Sequence, residues 1–516
     1  MRRAILHSPL MAIAPILVLL AANLSQAKPN VALRSILVSL ALAMLLWGAL
    51  GLLFKDWQQA AILVTLSLVL FYAYGHVYQQ LRLVSFSGIT LARHRYLAPI
   101  WIVLLLVAVW LARTRFKDTT RVTQILNISA AAAVAIPLWQ IISFESQLPF
   151  DDPSSADVAA RMGLSWRGSE VPPDIYYIVL DAYTGEDTLR KTFGFDNRPF
   201  LEQLNELGFY VFECGQSNYA QTEHTLASTL NLSYLDELGD EFVEDSDDRS
   251  GMWPLIRHSA VRQMLEELGY STVAFETGFR WSELDDADRY LEAAAGPIRG
   301  LSAFEATLLR TTAAWILADQ VETLPPFLDP GRSAEEHYRR VSFVLDQLQS
   351  VPALPGPKFV FAHIVSPHLP FVFGPNGEFM LHDPSEGERN MDWYTEGYAD
   401  QVGVLNSRFL PTLESIVAKS DPSPVVILQG DHGPEMGSAS DRMSILYAIR
   451  LPGADEGTLN QLTSPVNTFR VIFNDLFETA FPILEDVSLF STYPAPYDYS
   501  VITNDCLADG REGQLP

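Results

Sequence analysis

Acids are nearly missing from the first 150 residues, which hold three Asp/Glu against twelve Lys/Arg. Bases are scarce in the remainder, 23 Lys/Arg against 58 Asp/Glu, so the two parts carry net charges of +9 and −35. That asymmetry excludes one homogeneous globule and calls for at least two modules. The shortage of bases in the second part also excludes a nucleic-acid partner, which needs basic patches. Charge is lacking again inside five apolar runs, near residues 4–24, 31–54, 58–76, 97–112 and 122–144, with Arg34 near one edge as the exception. Each run is about long enough to span a bilayer, the fourth marginally so. A transport pathway usually carries intramembrane charge, so these spans read as an anchor. Cysteine is limited to Cys214 and Cys506, both in the acidic part. An outside location permits a disulfide between them, but two buried thiols fit as well, and spacing leaves both open.

The first run, "MRRAILHSPLMAIAPILVLLAANLSQAK", reads either as a retained span or as a signal peptide with Ser25 and Ala27 at its cleavage site. Five spans starting inside, or four starting outside after cleavage, both place the acidic part outside. The flanking Lys/Arg favour this orientation by only seven to five. The expected protein is multi-pass in the plasma (inner) membrane, with its acidic domain on the extracytoplasmic side. Its expected divisions are an anchor of four to five transmembrane helices at 1–144, a linker at 145–172 and a domain at 173–516. That last part is long enough to bury a large core.

The acidic part alternates strand-like and helix-like stretches. "DIYYIVL", "STVAFE", "KFVFAHI", "PVVILQG" and "SILYAIRLPG" are apolar and β-rich, as strands covered on both faces should be. Between them lie helical patterns such as "RPFLEQLNELGF" and long ones at 333–350 and 396–419. The alternation predicts an α/β domain with a mostly parallel sheet and helices on both faces. In such sheets working residues gather at the carboxyl ends of strands. Asp181, Glu276, His363 and the pair Asp431–His432 all fall there.

An oxygen and an imidazole ligand on adjacent residues suit Zn²⁺ or Mn²⁺. With Asp181, Asp431 and His432 supply three ligands and leave room for a nucleophile or a substrate oxygen. Gly430 and Gly433 are expected to let the backbone turn tightly around the pair. In "SNYAQTEHTLASTLNLSYL" the pattern is helical from Thr225 onward, which sets Thr222 at or just before a helix start. There, free N–H groups favour an anion, and Thr222 reads as a nucleophile or as a plain N-cap.

The stretches "PDIYYIVLDAYTGED", "SNYAQTEHTLASTLNLSYLD", "HIVSPHLPFVFGPNG" and "ILQGDHGPEMG" occur in that order. Together they resemble the sulfatase-like branch of the alkaline phosphatase superfamily. The architecture is similar to that of lipoteichoic acid synthase and the phosphoethanolamine transferases, a membrane anchor followed by an outward-facing catalytic domain. The resemblance implies an alkaline-phosphatase-like domain in which Asp181, Thr222, Asp431 and His432 hold a divalent metal. It implies Thr222 as nucleophile and His368 as the histidine at the phosphate or leaving group. His363, Arg280 and Trp281 are its expected substrate-binding residues, with Glu435 and Arg442 as further candidates.

Formylglycine sulfatases need Cys or Ser followed by x-Pro-x-Arg, and "TEHTL" lacks that pattern. The segment "HIVSPH" lacks the Asp-x-x-x-His pair that holds a second ion in two-metal relatives, so one principal ion is expected, with room for a second. The expected activity is phosphoryl-type transfer or hydrolysis on a membrane lipid head group or envelope glycan. The alternatives are a sulfuric ester hydrolase and a catalytically degenerate binding module. Oligomeric state is left open.

Overall fold

The computed structural model of the chain describes residues 4–82, 85–86, 89–90, 93–114, 118–147, 165–168, 171–293, 301–316, 332–382, 390–462, 464–504 and 506. The expected linker at 145–172 lies largely outside them. The chain forms two compact units, residues 1–147 with 295–334, and residues 148–294 with 335–516. Residues 301–316, which composition groups with the acidic part, therefore pack with the apolar one.

The first unit is built from helices α1 (His7–Ala21), α2 (Leu33–Phe54), α3 (Trp57–Arg82), α4 (His94–Thr114) and α5 (Thr119–Gln147). Four of its helical segments, beginning at Pro29, Trp57, His94 and Thr119, are long and apolar enough to cross a membrane. The 15-residue α1 is shorter than the expected span. Asn127 of α5 caps its start, with Oδ1 accepting from the Leu6 and His7 N–H groups at 3.0 and 2.9 Å. The helix Ala303–Thr311 joins this unit. Its Phe304 is buried in one cluster with Ile16, Leu17 and Leu20 of α1 and Ile141 of α5.

The second unit holds β1 (Ile175–Leu180), α6 (Glu186–Phe193), α7 (Arg198–Glu206), β2 (Tyr210–Val211) and α8 (Thr222–Leu230). Next come α9 (Ala260–Glu267), β3 (Ser271–Phe275), β4 (Arg289–Leu291), α10 (Arg332–Leu348) and β5 (Lys358–Ile364). The chain ends with α11 (Met391–Lys419), β6 (Val425–Gly430), β7 (Tyr447–Arg450), α12 (Pro465–Leu476) and the hairpin β8 (Leu489–Thr492) and β9 (Ala495–Val501). Seven strands form one sheet in the order β2-β7-β6-β1-β5-β3-β4. The pairs among β6, β1, β5, β3 and β4 are parallel, while β7 runs antiparallel to both β6 and β2.

Every residue of β1, β5 and β6 is buried, which explains their largely apolar sequences. On one face Tyr177 of β1 and Phe359 of β5 meet Phe469 of α12 edge to ring. In register, Leu180 of β1 lies between Ile364 of β5 and Gly430 of β6. The three central strands therefore finish at one level, and the polar residues after them share one edge.

Candidate active site

The site starts from Asp181, the first residue after β1. Its N–H donates to the Ile364 carbonyl at 2.9 Å, prolonging the pairing with β5 by one step. Ala182 then turns the chain away at φ 66°, and its N–H donates to Asp431 Oδ1 at 2.9 Å. That bond holds the two strand-end carboxylates together. Gly430 and Gly433 lie outside the left-handed region. They are required by close approach, since a Cβ at Gly430 would collide with the Tyr183 carbonyl and one at Gly433 with the Asp441 carbonyl.

The His432 imidazole bonds to the Gly433 carbonyl through Nδ1 at 2.7 Å. Nδ1 is therefore the protonated nitrogen, and Nε2 presents a lone pair. That Nε2 lies 3.6 Å from Asp181 Oδ1, 3.4 Å from Asp431 Oδ2 and 3.1 Å from Thr222 Oγ1. Thr222 is the first residue of α8, with Gln221 at the N-cap and no side-chain capping bond. Its hydroxyl thus faces His432 rather than its own helix. Ser217 Oγ and Thr225 Oγ1 both donate to the Asp431 carbonyl, at 2.6 and 3.0 Å, and fasten the start of α8 to the end of β6. Neither was legible as a site residue, although both stand inside or beside the "SNYAQTEHT" stretch.

Asp181 Oδ1 and Asp431 Oδ2 are buried and have no hydrogen-bond partner. Two carboxylate oxygens and an imidazole lone pair converging in a dry site repel one another unless a cation lies among them. The donor set of carboxylates and imidazole suits Zn²⁺ or Mn²⁺, so the residues fit a divalent metal. Asp181, His363 and Asp431 also present ligand atoms within 4.8 Å of one another, the one such group among the described residues. His363, expected at the substrate, is 1% exposed, with Nε2 3.1 Å from Asp181 Oδ2. From there it can orient Asp181 or serve as a ligand itself.

Around this centre the charges are arranged in pairs. Burial works against the charged form of Asp181, but His368, His363 and His432 outweigh it and hold its carboxyl well below the usual range. Burial also opposes charge on His368, yet Asp181 and Glu435 push its pKa up to about 10. His368 Nε2 lies 2.7 Å from Glu435 Oε1, and its Nδ1 donates to the Leu369 carbonyl at 2.7 Å. Burial and the Arg442 guanidinium lower the pKa of His432. Arg442 reaches His432 Nε2 at 3.2 Å and the Ala220 carbonyl at 2.9 Å.

The remaining expected residues sit further out. Trp281 is buried with its ring 5.6 Å from that of His363. Arg280 lies 5.8 Å from the Trp253 ring. Glu276 does not join the metal group. Its Oε1 faces Arg340 at 3.4 Å, and its Oε2 accepts from the Ala293 N–H at 3.3 Å. Away from the site, Cys214 and Cys506 form a disulfide, which settles the alternative the sequence leaves open.

No family model matches the chain, and no curated protein matches it. Solved structures do. The zinc complex of the C-terminal periplasmic domain of EptC from Escherichia coli is 12% identical, covers 68% of this chain and 97% of its own, and has a TM-score of 0.43. The integral membrane lipooligosaccharide phosphoethanolamine transferase A of Neisseria meningitidis is 11% identical over 90% of this chain and 93% of its own, with a TM-score of 0.40. A 2-O glycosaminoglycan sulfatase, BT1596, is 13% identical over 60% and 72%, with a TM-score of 0.37. The solved structures that match thus include phosphoethanolamine transferases and sulfatases.

Proposed function

We propose that the chain is a membrane-anchored enzyme that moves a phosphoryl-type group on a lipid head group or envelope glycan, through Thr222. The observation that carries this reading is the convergence of Thr222 Oγ1, His432 Nε2 and two unpartnered carboxylate oxygens at the carboxyl edge of the sheet. A divalent cation held by Asp181, Asp431, His432 and Thr222, with His363 beside them, would lower the pKa of the threonine hydroxyl and neutralise charge on the phosphoryl group.

The residues divide the remaining work. Thr222, its hydroxyl proton lost to solvent, attacks phosphorus in line, forming the Oγ–P bond as the bond to the leaving oxygen breaks. First-turn N–H groups of α8 lack intrahelical partners and face the phosphoryl oxygens. His368, kept protonated by Asp181 and Glu435, gives its proton to the leaving oxygen. Water or an alcohol then releases the phospho-threonine. The apolar helices hold the catalytic unit at the membrane on its extracytoplasmic side, where lipid-borne substrates are presented.

The test is the rate of the purified full-length protein on bis(p-nitrophenyl) phosphate and on p-nitrophenyl sulfate. Thr222→Ala is expected to lower turnover of the phosphodiester by about 10³-fold or more, and the sulfate is expected to be the poorer substrate. A Thr222→Ala protein as fast as wild type would overturn the nucleophile. Faster turnover of the sulfate would move the reading to a sulfuric ester hydrolase.

A further inference from the structure

Each carboxylate of the site has one oxygen satisfied by the protein and one left over. Asp431 accepts the Ala182 N–H through Oδ1 at 2.9 Å, and its Oδ2 is buried without a partner. Asp181 repeats the pattern with the oxygens exchanged. Its Oδ2 lies 3.1 Å from His363 Nε2, and its Oδ1 is the buried oxygen without a partner. That free oxygen is the one near His432, 3.6 Å from Nε2. His363 therefore does for Asp181 what the Ala182 N–H does for Asp431.

Strand register brings the pair together. His363 of β5 is paired with Val179 of β1, and Asp181 follows Val179 by two residues. Residues two apart share a face of a strand, so both side chains leave the sheet on the same side. A lone pair on Nε2 would repel the carboxylate, so Nε2 carries a proton and donates it to the bond. Behind the ring, Ser282 Oγ faces Nδ1 at 3.4 Å and meets Thr277 Oγ1 at 2.8 Å. Both hydroxyls are buried in the turn after β3 and also reach the Phe279 carbonyl. The Trp281 ring lies 5.6 Å from the imidazole, whose side chain is 0% exposed. Both ring nitrogens are thus engaged by the protein.

We propose that His363 is a positioning residue of the metal centre, which fixes Asp181 through Oδ2 so that Oδ1 alone faces the cation, and that Ser282 and Thr277 hold its ring in place. The inference rests on the metal-site reading above. His363 touches neither the cation nor the substrate. A carboxylate held in this way is turned to its ligand geometry before the cation arrives, and losing such a partner typically costs about 10- to 100-fold in metal affinity.

The experiment measures Zn²⁺ binding to the full-length protein in detergent, stripped with a chelator and titrated in competition with a zinc-binding dye. His363→Ala is expected to weaken Zn²⁺ binding about 10- to 100-fold. His363→Gln returns an amide N–H near the place of Nε2 and is expected to recover most of that loss. Ser282→Ala should weaken binding less than His363→Ala, because the ring remains but is free to turn. The visible absorption of the Co²⁺-loaded protein should be the same in wild type and His363→Gln, since the ligand set does not change.

A His363→Gln protein that loses Zn²⁺ as His363→Ala does, with an altered Co²⁺ spectrum, makes His363 a ligand and overturns the proposal. So does a His363→Ala protein that binds Zn²⁺ as tightly as wild type. Should His363→Ala fail to fold, His363→Gln and Ser282→Ala decide on the same criteria. A wild-type protein that binds neither Zn²⁺ nor Co²⁺ overturns the metal-site reading itself, and is told apart because no variant is needed to see it.

Discussion

The turn after β1 concentrates the backbone constraints of the site. Ala182 holds φ 66°, a region that costs a non-glycine residue about 1 kcal/mol or more. It is held there by its bond to Asp431 and by Tyr398, whose hydroxyl donates to the Ala182 carbonyl at 2.6 Å. Opposite it, Gly430 leaves no room for a Cβ against the Tyr183 carbonyl, and backbone cannot yield there as a flexible side chain could. Gly430→Ala is therefore expected to destabilise the protein by about 2 kcal/mol or more. It should also lower bound metal measured by atomic emission, because the shift passes directly to Asp431. A second constraint is proton-linked. Burial and Arg249 lower the pKa of His224 to about 3, against an ordinary value of 6.5. The unfolded chain binds that proton below pH 6.5 and the fold does not. Stability from this group is thus complete above pH 6.5 and is lost as pH falls toward 3, at up to about 1.4 kcal/mol per unit. Thermal unfolding scanned from pH 7.5 to 5 should show the midpoint falling, and His224→Gln should flatten the fall. An equal slope in the variant would assign the acid sensitivity elsewhere. The carboxylates and histidines at strand ends were legible because a charge after an unbroken apolar run stands out.

At the scale of elements, β1, β5 and β6 could be read from sequence since full burial on both faces leaves them mostly apolar, with Lys358 and His363 of β5 and Gln429 of β6 near their ends. The direction of β7 could not. Apolar periodicity is the same for a strand run either way, and the connection through residues 431–446, which holds the helix Ala439–Met443, is long enough for either direction, while the structure pairs β7 antiparallel with β6. The start of α8 falls at Thr222, as expected, although its apolar stripe is legible only from Thr225 because Glu223 faces Arg249 and Trp253 and His224 faces the Pro496 carbonyl. The disulfide lay beyond sequence for a similar reason, with its two cysteines 292 residues apart. A cross-link over so long a loop restricts the unfolded chain strongly, and removing one typically costs about 2–5 kcal/mol. Cys214→Ser with Cys506→Ser is expected to lower the unfolding midpoint by several degrees, read by differential scanning calorimetry against the oxidised wild type. An unchanged midpoint would mean that the reduced chain already keeps these segments together.

At the scale of the whole molecule, composition separates an apolar part from an acidic one, yet the chain does not respect that boundary. The helix Ala303–Thr311 begins with a capping box between Ser302 and Glu305 and belongs to the bundle unit. Glu305 is buried and pairs with Arg34, the cation that stood out at the edge of an apolar run. Phe304 fills the cluster beside α1, a burial worth about 1.5–3 kcal/mol. The Ala313 N–H donates to the Phe71 carbonyl of α3 at 2.8 Å. Close approach of the two backbones depends on Gly75, where a Cβ would strike the Arg310 carbonyl. A branched side chain at that position cannot be accommodated by rotamer change, because the obstacle is main chain. Gly75→Leu in the full-length protein should therefore release residues 301–316 while leaving the α1–α5 packing in place. The expected readout is proteolytic cleavage within 303–311 at least about tenfold faster than in wild type, as for a segment whose local opening has lost one or two kcal/mol of protection. Arg34→Ala should act in the same direction and more weakly, since Arg34 is 47% exposed and such pairs are worth little. Equal cleavage rates in all three proteins would show that Gly75 and Arg34 do not hold this helix to the bundle.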